Sequence, residues 1–437
     1  MPSSPEDDGQ SAVSGSARSV AAEVVRRVTD GDAFSNLLLP ALLERSGLPA
    51  RDRALATELA YGTLRRLMPI DRALAGLLKR PLDRASAPAR AALRIGAYQL
   101  LHTRIPPHAA VAETVALVPS GQRGFVNAVL RRLSARPPGA PQGDDDEAVA
   151  ARTGLASWGV REIRSLVGDE VEEAAAALAA PGPLTIRSNP CRQEPDELRR
   201  ALREAGHGPD PGRLHPGSLR FPGGRPSDLP GFAEGWFAVQ DEASAWVVDV
   251  LDPQPGELVL DACAGPGGKA ADIACRIESV VAADVSPRRL GLVRRAADRL
   301  GVTAPLLVQD ASRPALRGGF DRVLVDAPCT GIGAARRRPE LLWRPRRSDL
   351  SRLARLQVRI AVGASGLLRP GGVLVYSVCT FPRAETDAAC DALLGKAPFL
   401  RPDPFPGPDG EPVERARLWP HRHGTDAMFV ARFRRED

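Results

Sequence analysis

The chain has 437 residues, 43% of them hydrophobic, which is more apolar material than one core needs and predicts at least two domains. Its net charge of +6 permits a nucleic-acid partner without requiring one. The longest apolar stretches, Ala245 to Leu251 and Gly372 to Val378, fall far short of the roughly 18 residues that suggest a bilayer span, so no membrane partner is expected.

Met1 to Ala17 is polar and acidic, without the basic and apolar regions of a leader peptide, and predicts a disordered tail over residues 1–17 of a cytoplasmic protein. From Ser19 to Arg136 apolar residues recur at helical spacing, as in Val20, Val24, Val28 and Val111, Val115, Val118, with prolines as punctuation. This is an all-helical domain over 18–136, its last helix reading Phe125 to Leu133. Pro137 to Glu147, with three successive Asp residues, reads as a linker. A connecting α+β subdomain is expected over 148–235, with a helical region to Ala180, a strand at Leu184 to Ser188 and a helix around Glu197 to Ala205. From 236 to 437 short buried strands alternate with helices, which predicts a Rossmann-like α/β domain with a mostly parallel sheet. Its strands are Leu258 to Ala262, Ser279 to Asp284, Leu306 to Gln309, Arg322 to Asp326 and Val373 to Ser377.

Six cysteines without a leader fit reduced thiols better than disulfides, none has zinc-ligand spacing, and no metal is expected. Of the 59 basic residues only Lys79, Lys269 and Lys396 are lysines. Arginine-rich segments are therefore background, and a lysine stands out.

The first of these strands runs into Cys263-Ala264-Gly265-Pro266-Gly267-Gly268-Lys269, with a helix from about Ala270. Strand, glycine loop and helix make a nucleotide-cofactor site, because glycine lets a ligand approach the backbone at the carboxyl end of a parallel strand. A P-loop would need Gly at 263 and Ser or Thr at 270, and a dinucleotide fingerprint would need Gly at 270. S-adenosylmethionine remains, with Asp284 at the end of the next strand as the acidic partner of its ribose.

Two thiols stand at strand ends. Asp326-Ala327-Pro328-Cys329-Thr330-Gly331 follows one strand and Val378-Cys379-Thr380 another, so both should face the crevice of the glycine loop. Cys191, Cys275 and Cys390 read as buried core residues. Thiols in such a place suit cytosine carbon 5, a poor nucleophile that must be activated before it can take a methyl from a sulfonium. A thiolate adds to carbon 6, carbon 5 takes the methyl, and loss of the carbon 5 proton frees the thiol. Asp326 would hold N3 and the exocyclic amine of the ring.

Ordered motifs over residues 140 to 435 carry a resemblance: Gln240 to Ser244, Asp261 to Lys269, Asp284, Asp310, Asp326 to Gly331, Arg338-Pro339 and Tyr376 to Thr380. The chain resembles the Nop/Sun family of RNA cytosine-C5 methyltransferases. The resemblance implies that Cys379 is the nucleophile, that Cys329 assists release, and that Cys263 to Lys269, Asp284, Asp310 and Asp326 line the S-adenosylmethionine pocket. The helical segment, through Arg123 to Arg131, resembles the NusB-like RNA-binding domain of the bacterial small-subunit rRNA subfamily. That implies a monomeric enzyme acting on RNA, as 16S rRNA or an assembling small ribosomal subunit. Three departures stand out: Gly265 replaces the usual Ala, Val378 the usual Thr, and Thr380 the usual Ser.

Between Ala335 and Arg347 six arginines surround Trp343, a mixture suited to phosphate contact and base stacking, with Arg338 inside a family motif. His421 and His423 read as ordinary polar loop residues. Two rivals remain: a DNA cytosine-C5 methyltransferase attacking with Cys329, and an inactive RNA-binding assembly or antitermination factor.

Overall fold

The computed structural model describes residues 15–139 and 141–437. The expected tail lies outside the described residues as far as residue 14. Ser16 and Ala17, however, belong to the first helix and its cap: the Ser16 hydroxyl accepts the Ser19 N–H at 3.3 Å, and Ala17 is buried. The contacts divide the chain into two compact units, one reaching Arg161 and including Arg337–Arg344, the other made of Glu162–Arg336 and Pro345–Asp437.

The first unit is helical, as expected. Its helices are Ala17–Thr29, Ser35–Arg45, Ala50–Arg65, Leu67–Ala75, Ala87–His102, Pro107–Val115, Ser120–Ala135 and Asp146–Thr153. Val20, Val24 and Val28 lie on the buried face of the first, as their spacing requires. Gly96 lets two helices meet, since a Cβ there would come within 2.5 Å of Leu130. The helix expected over Phe125 to Leu133 is longer at both ends. The acidic run read as linker ends in a helix start: the Asp145 carboxylate accepts the Ala148 N–H at 2.8 Å, and Asp146 opens the next helix. That helix packs on Leu67–Ala75, so residues 148–161 lie with the helical unit rather than with the connecting subdomain.

Residues Arg337–Arg344 complete this unit from far along the sequence. Buried Glu340 accepts from the Ser35 hydroxyl at 2.6 Å and the Ser35 N–H at 3.2 Å. Arg344 donates to the carbonyls of Val28 and Ala33 at 2.7 and 2.8 Å, at the end of the first helix and the turn after it.

In the second unit, Asp210–Pro211, Ser218–Phe221, Leu184–Ser188 and Phe237–Val239 form a small antiparallel sheet in that spatial order. Only Leu184–Ser188 was legible as a strand. The large sheet has eight strands, labelled here in chain order as β1 Leu258–Asp261, β2 Ser279–Asp284, β3 Leu306–Val308, β4 Phe320–Asp326, β5 Leu368–Val378, β6 Leu400–Pro402, β7 Arg415–Leu418 and β8 Met428–Arg435. Its spatial order is β6-β8-β5-β4-β1-β2-β3, with β7 on β8. Pairing is parallel from β3 to β5 and antiparallel where β8 joins β5. Helices α1 Gly268–Arg276, α2 Pro287–Leu300, α3 Arg347–Ser365 and α4 Asp387–Lys396 accompany it. Val259, Leu260, Val323, Leu324, Val325, Leu374 and Val375 are fully or almost fully buried, as a sheet covered on both faces demands. The chain leaves β1 toward β2 on one side and has β4 on the other, so the sheet's switch point lies at the end of β1.

One expectation about the cysteines is corrected. Cys191 and Cys275 form a disulfide, with Cα atoms 5.7 Å apart, and Cys191 is exposed rather than core. Spacing could not reveal it, because the partners are 84 residues apart. Cys390 is buried, as expected.

Candidate active site

The site forms where β1, β2, β4 and β5 end. After Asp261 the chain turns through the glycine loop, and Gly267, at φ 113°, caps the start of α1 at Gly268, two residues earlier than expected. A left-handed turn here is inexpensive only for glycine. The Gly265 N–H donates to the Asp284 carboxylate at 3.1 Å, and the Ser286 N–H donates to its other oxygen at 2.9 Å. Asp284 is buried and also pairs with Arg289 at 3.3 Å.

The departure at Gly265 has a local cause. Arg289 donates to the Gly265 carbonyl at 2.5 Å, and an added Cβ would lie 2.7 Å from the Arg289 Cβ and 2.8 Å from an Asp284 oxygen. Gly268 is different: a Cβ there meets nothing nearer than Gln240 at 3.8 Å, which leaves the loop open to a ligand. Next to exposed Asp310, the buried Gln309 amide has neither oxygen nor nitrogen bonded. Hydrogen bonds from Ser312 hold the Asp310 carboxyl below its ordinary range. An open glycine loop, carboxylates at the ends of β2 and β3, and an unpaired buried amide fit a cofactor carrying a ribose and a base.

Lys269 turns its ammonium to Asp326 at 2.8 Å. Burial by itself would lower the Lys269 pKa, but the charge and hydrogen bond of Asp326 outweigh it, and the Cys379 thiol adds to the upward shift. The rare lysine is therefore a buried cation beside the site. The second Asp326 oxygen accepts from the Ser377 hydroxyl at 2.9 Å. Asp261 lies behind this pair, and burial followed by the charge of Asp326 pushes its carboxyl up to about 7.

The two thiols meet. Cys329, after β4, and Cys379, after β5, lie with their sulfurs 3.5 Å apart, because β4 and β5 are parallel neighbours with Asp326 opposite Ser377. The contact with Cys379, then burial, pushes the Cys329 thiol well above its ordinary range. Burial likewise raises Cys263. Val378 points elsewhere, fully buried in the apolar cluster with Tyr376, Phe429 and Leu374. Strand alternation puts its side chain and that of Ser377 on opposite faces.

Arg338 and Trp343 belong to the helical unit, and the residues just described belong to the other. Trp343, expected as a stacking platform, is partly buried. Its ring packs against the helical core and its Nε1–H donates to the Leu64 carbonyl at 3.0 Å. His421 and His423 bond Glu170 and the Trp419 backbone, and no metal-binding group occurs among the described residues.

Sequence reasoning missed Ser377 and a buried group behind the cysteines. Glu385, fully buried, accepts the Thr330 N–H at 2.9 Å and hydroxyl at 2.6 Å, and Gln357 Nε2 at 2.9 Å. Its partners are 28 and 55 residues away, so no local pattern announces it. Ser377 could have been found from its place opposite Asp326 on adjacent strand ends.

A parallel sheet in this order, with a glycine loop after β1 and an acidic residue ending β2, defines a Rossmann-like methyltransferase dependent on S-adenosylmethionine. The 16S rRNA methyltransferase RsmB/F family model matches residues 248–434, and the NusB family model matches residues 15–135. Ribosomal RNA small subunit methyltransferase B of Pseudomonas syringae is 35% identical, over 95% of this chain and 96% of that protein. The protein of that name from Citrobacter koseri is also 35% identical, over 87% and 90%. Among solved structures, PH0851 matches at TM-score 0.83 and 25% identity, covering 97% of this chain and all of that one. A methyltransferase homolog from Pyrococcus horikoshii matches at TM-score 0.57 and 27% identity, over 67% of this chain and all of that one. The chain belongs to the 16S rRNA methyltransferase RsmB/F family, joined to a NusB-family helical domain.

Proposed function

We propose that this protein methylates carbon 5 of a cytosine in 16S rRNA, with Cys379 attacking carbon 6 and Cys329 aiding release. The observation that carries the reading is the 3.5 Å approach of the two sulfurs at the strand ends beside the Lys269–Asp326 pair. Family membership supports RNA as the substrate, and the names of the relatives support the small-subunit rRNA.

The residue roles come from the resemblance of the motifs, and charge and geometry support them. The neighbouring sulfur and burial push the Cys329 thiol up, so the pair does not favour two thiolates at once, which supports Cys379 as the attacking sulfur beside a protonated Cys329. The Lys269 ammonium adds positive charge to its surroundings. Attack on carbon 6 makes Cys379 a neutral thioether, and its opposition to a Cys329 thiolate then disappears. Once carbon 5 is methylated, Cys329, having given its own proton to solvent, acts as the base that takes the carbon 5 proton; the electrons of that C–H bond form the carbon 5–carbon 6 double bond, and Cys379 leaves carbon 6 as a thiolate. Asp326, fixed from both sides by Lys269 and Ser377, is held ready for N3 and the exocyclic amine. S-adenosylmethionine supplies the electrophilic methyl, and residues Cys263 to Lys269, Asp284 and Asp310 would hold it.

The helical residues 18–136 serve RNA binding in this reading, supported by the NusB match, with Arg338 as a further RNA contact. A cytoplasmic monomer accords with action on ribosomal RNA. No helix among the described residues is long and apolar enough to cross a membrane.

The test is methyl transfer from labelled S-adenosylmethionine to naked 16S rRNA, to small subunits and to DNA, followed by nuclease digestion. Labelled 5-methylcytidine from either RNA substrate is expected. Label in DNA alone would support the rival with Cys329 as nucleophile, and none anywhere would support an inactive binding factor.

A further inference from the structure

Behind the two thiols lies a buried polar group that the proposed chemistry does not use. Pro328 and Thr330 flank Cys329, and Thr380 follows Cys379. The Thr330 and Thr380 hydroxyls are 2.7 Å apart, Thr330 reaches Glu385 at 2.6 Å, and Thr380 reaches the same carboxylate oxygen at 3.4 Å. The other Glu385 oxygen accepts the Thr330 N–H and Gln357 Nε2. Gln357 Nε2 also donates to the Pro328 carbonyl at 3.0 Å. The Tyr376 hydroxyl closes the group by donating to the Glu385 carbonyl at 2.7 Å, with Gln357 Oε1 3.2 Å away.

The hydrogen count orders these bonds. Each hydroxyl has one proton, so the shortest contacts run as a chain, Thr380 donating to Thr330 and Thr330 to Glu385. A carboxylate that only accepts fixes that direction and takes the Thr330 N–H as well. Without it, two hydroxyls, one amide and one N–H would be buried with too few acceptors.

We propose that Glu385 is a positioning residue for methyl transfer, its carboxylate holding the Cys329 and Cys379 loops in register so that the two sulfurs stay in contact. This rests on the reading of the two cysteines given above, but the contact itself can be measured without any methylation. Glu385 is fully buried and acts through the two threonines and through Gln357, which also holds the Pro328 carbonyl. Burial raises its pKa, while the hydrogen bonds from Thr330, Gln357 and Thr380 oppose the rise.

The distance is read by trapping. A small disulfide oxidant such as diamide or dithiodipyridine takes two electrons and two protons from Cys329 and Cys379, leaving one S–S bond. Its rate measures how often the sulfurs meet. Peptide mapping separates this product from the Cys191–Cys275 disulfide. In Glu385→Ala, trapping should slow about tenfold and single-turnover methyl transfer about a hundredfold, while S-adenosylmethionine affinity stays within about twofold. Glu385→Gln keeps one acceptor oxygen and should recover part of both losses.

Unchanged trapping and turnover in a folded Glu385→Ala protein would overturn the proposal. So would a parallel loss of S-adenosylmethionine binding, which would show a merely structural role. Should Glu385→Ala fail to fold, Thr330→Val, Thr380→Val and their double variant decide. Slowed trapping that is less than additive in the pair supports the shared hydroxyl chain, and wild-type trapping in all three contradicts it. Slowed trapping in Glu385→Ala, together with a wild type that transfers no methyl, would support the positioning role of Glu385 and sink only the assigned reaction.

Discussion

Cys329 and Cys379 are 50 residues apart in sequence, and their sulfurs lie 3.5 Å apart. The parallel pairing of β4 and β5 sets this distance, because both cysteines follow strands that end at the same edge. Two thiols in contact cannot ionise together at low cost. The pair is thus suited to successive tasks, one sulfur attacking while the other holds a proton.

Val378 precedes Cys379, yet its side chain is buried in the apolar core. Val378→Thr should therefore leave the rate of transfer within about twofold, while costing about 1–3 kcal/mol of stability through a buried hydroxyl. Thermal unfolding and single-turnover rates check both. A faster enzyme of unchanged stability would show that a hydroxyl at 378 reaches the thiol.

Asp261 gives a pH signature. Burial and Asp326 push its carboxyl up to about 7 in the folded chain, against about 3.9 when unfolded. The folded state binds the proton more tightly, so this stabilising contribution is full below about pH 4 and is lost as pH rises through about 7. Asp261→Asn cannot titrate, and its melting temperature should fall less steeply across that window than that of the wild type. Identical slopes would mean that Asp261 is already ionised at low pH.

Trp343→Phe retains the ring against the helical core but loses the bond to the Leu64 carbonyl. We expect a loss of about 0.5–1.5 kcal/mol in stability and RNA affinity within about twofold of wild type. Glu340→Ala should cost more, because it leaves both the Ser35 hydroxyl and N–H without their acceptor. Chemical denaturation and RNA binding by anisotropy separate the effects. A large loss of RNA affinity at unchanged stability in Trp343→Phe would restore the stacking role that the neighbouring arginines suggest.

What was legible in the sequence is what depends on local pattern. β2 and the strand Leu184–Ser188 have the expected bounds: β2 is a short apolar run closed by Asp284, and Leu184 and Ile186 alternate with Thr185 and Arg187 in the other. The glycine loop, Asp284 and the two cysteines were found because open parallel sheets bring strand ends together. Long-range pairing was not legible. Arg337–Arg344 lies beside the catalytic motifs in sequence but packs with the helical unit, through Ser35 and Leu64 some 280 to 305 residues away. The same applies to Cys191 with Cys275, and to Glu385, whose importance appears only when Thr330 and Thr380 are side by side. Short strands such as Asp210–Pro211 contain too few residues to show alternation.

The central claim is that Cys379 attacks and Cys329 releases. It is tested most directly by incubating Cys329→Ala and Cys379→Ala with S-adenosylmethionine and 16S rRNA, then looking for protein covalently bound to RNA on a denaturing gel and mapping the attachment site. The account predicts that Cys329→Ala accumulates an adduct through Cys379 and that Cys379→Ala forms none. An adduct in Cys379→Ala, attached through Cys329, would contradict it.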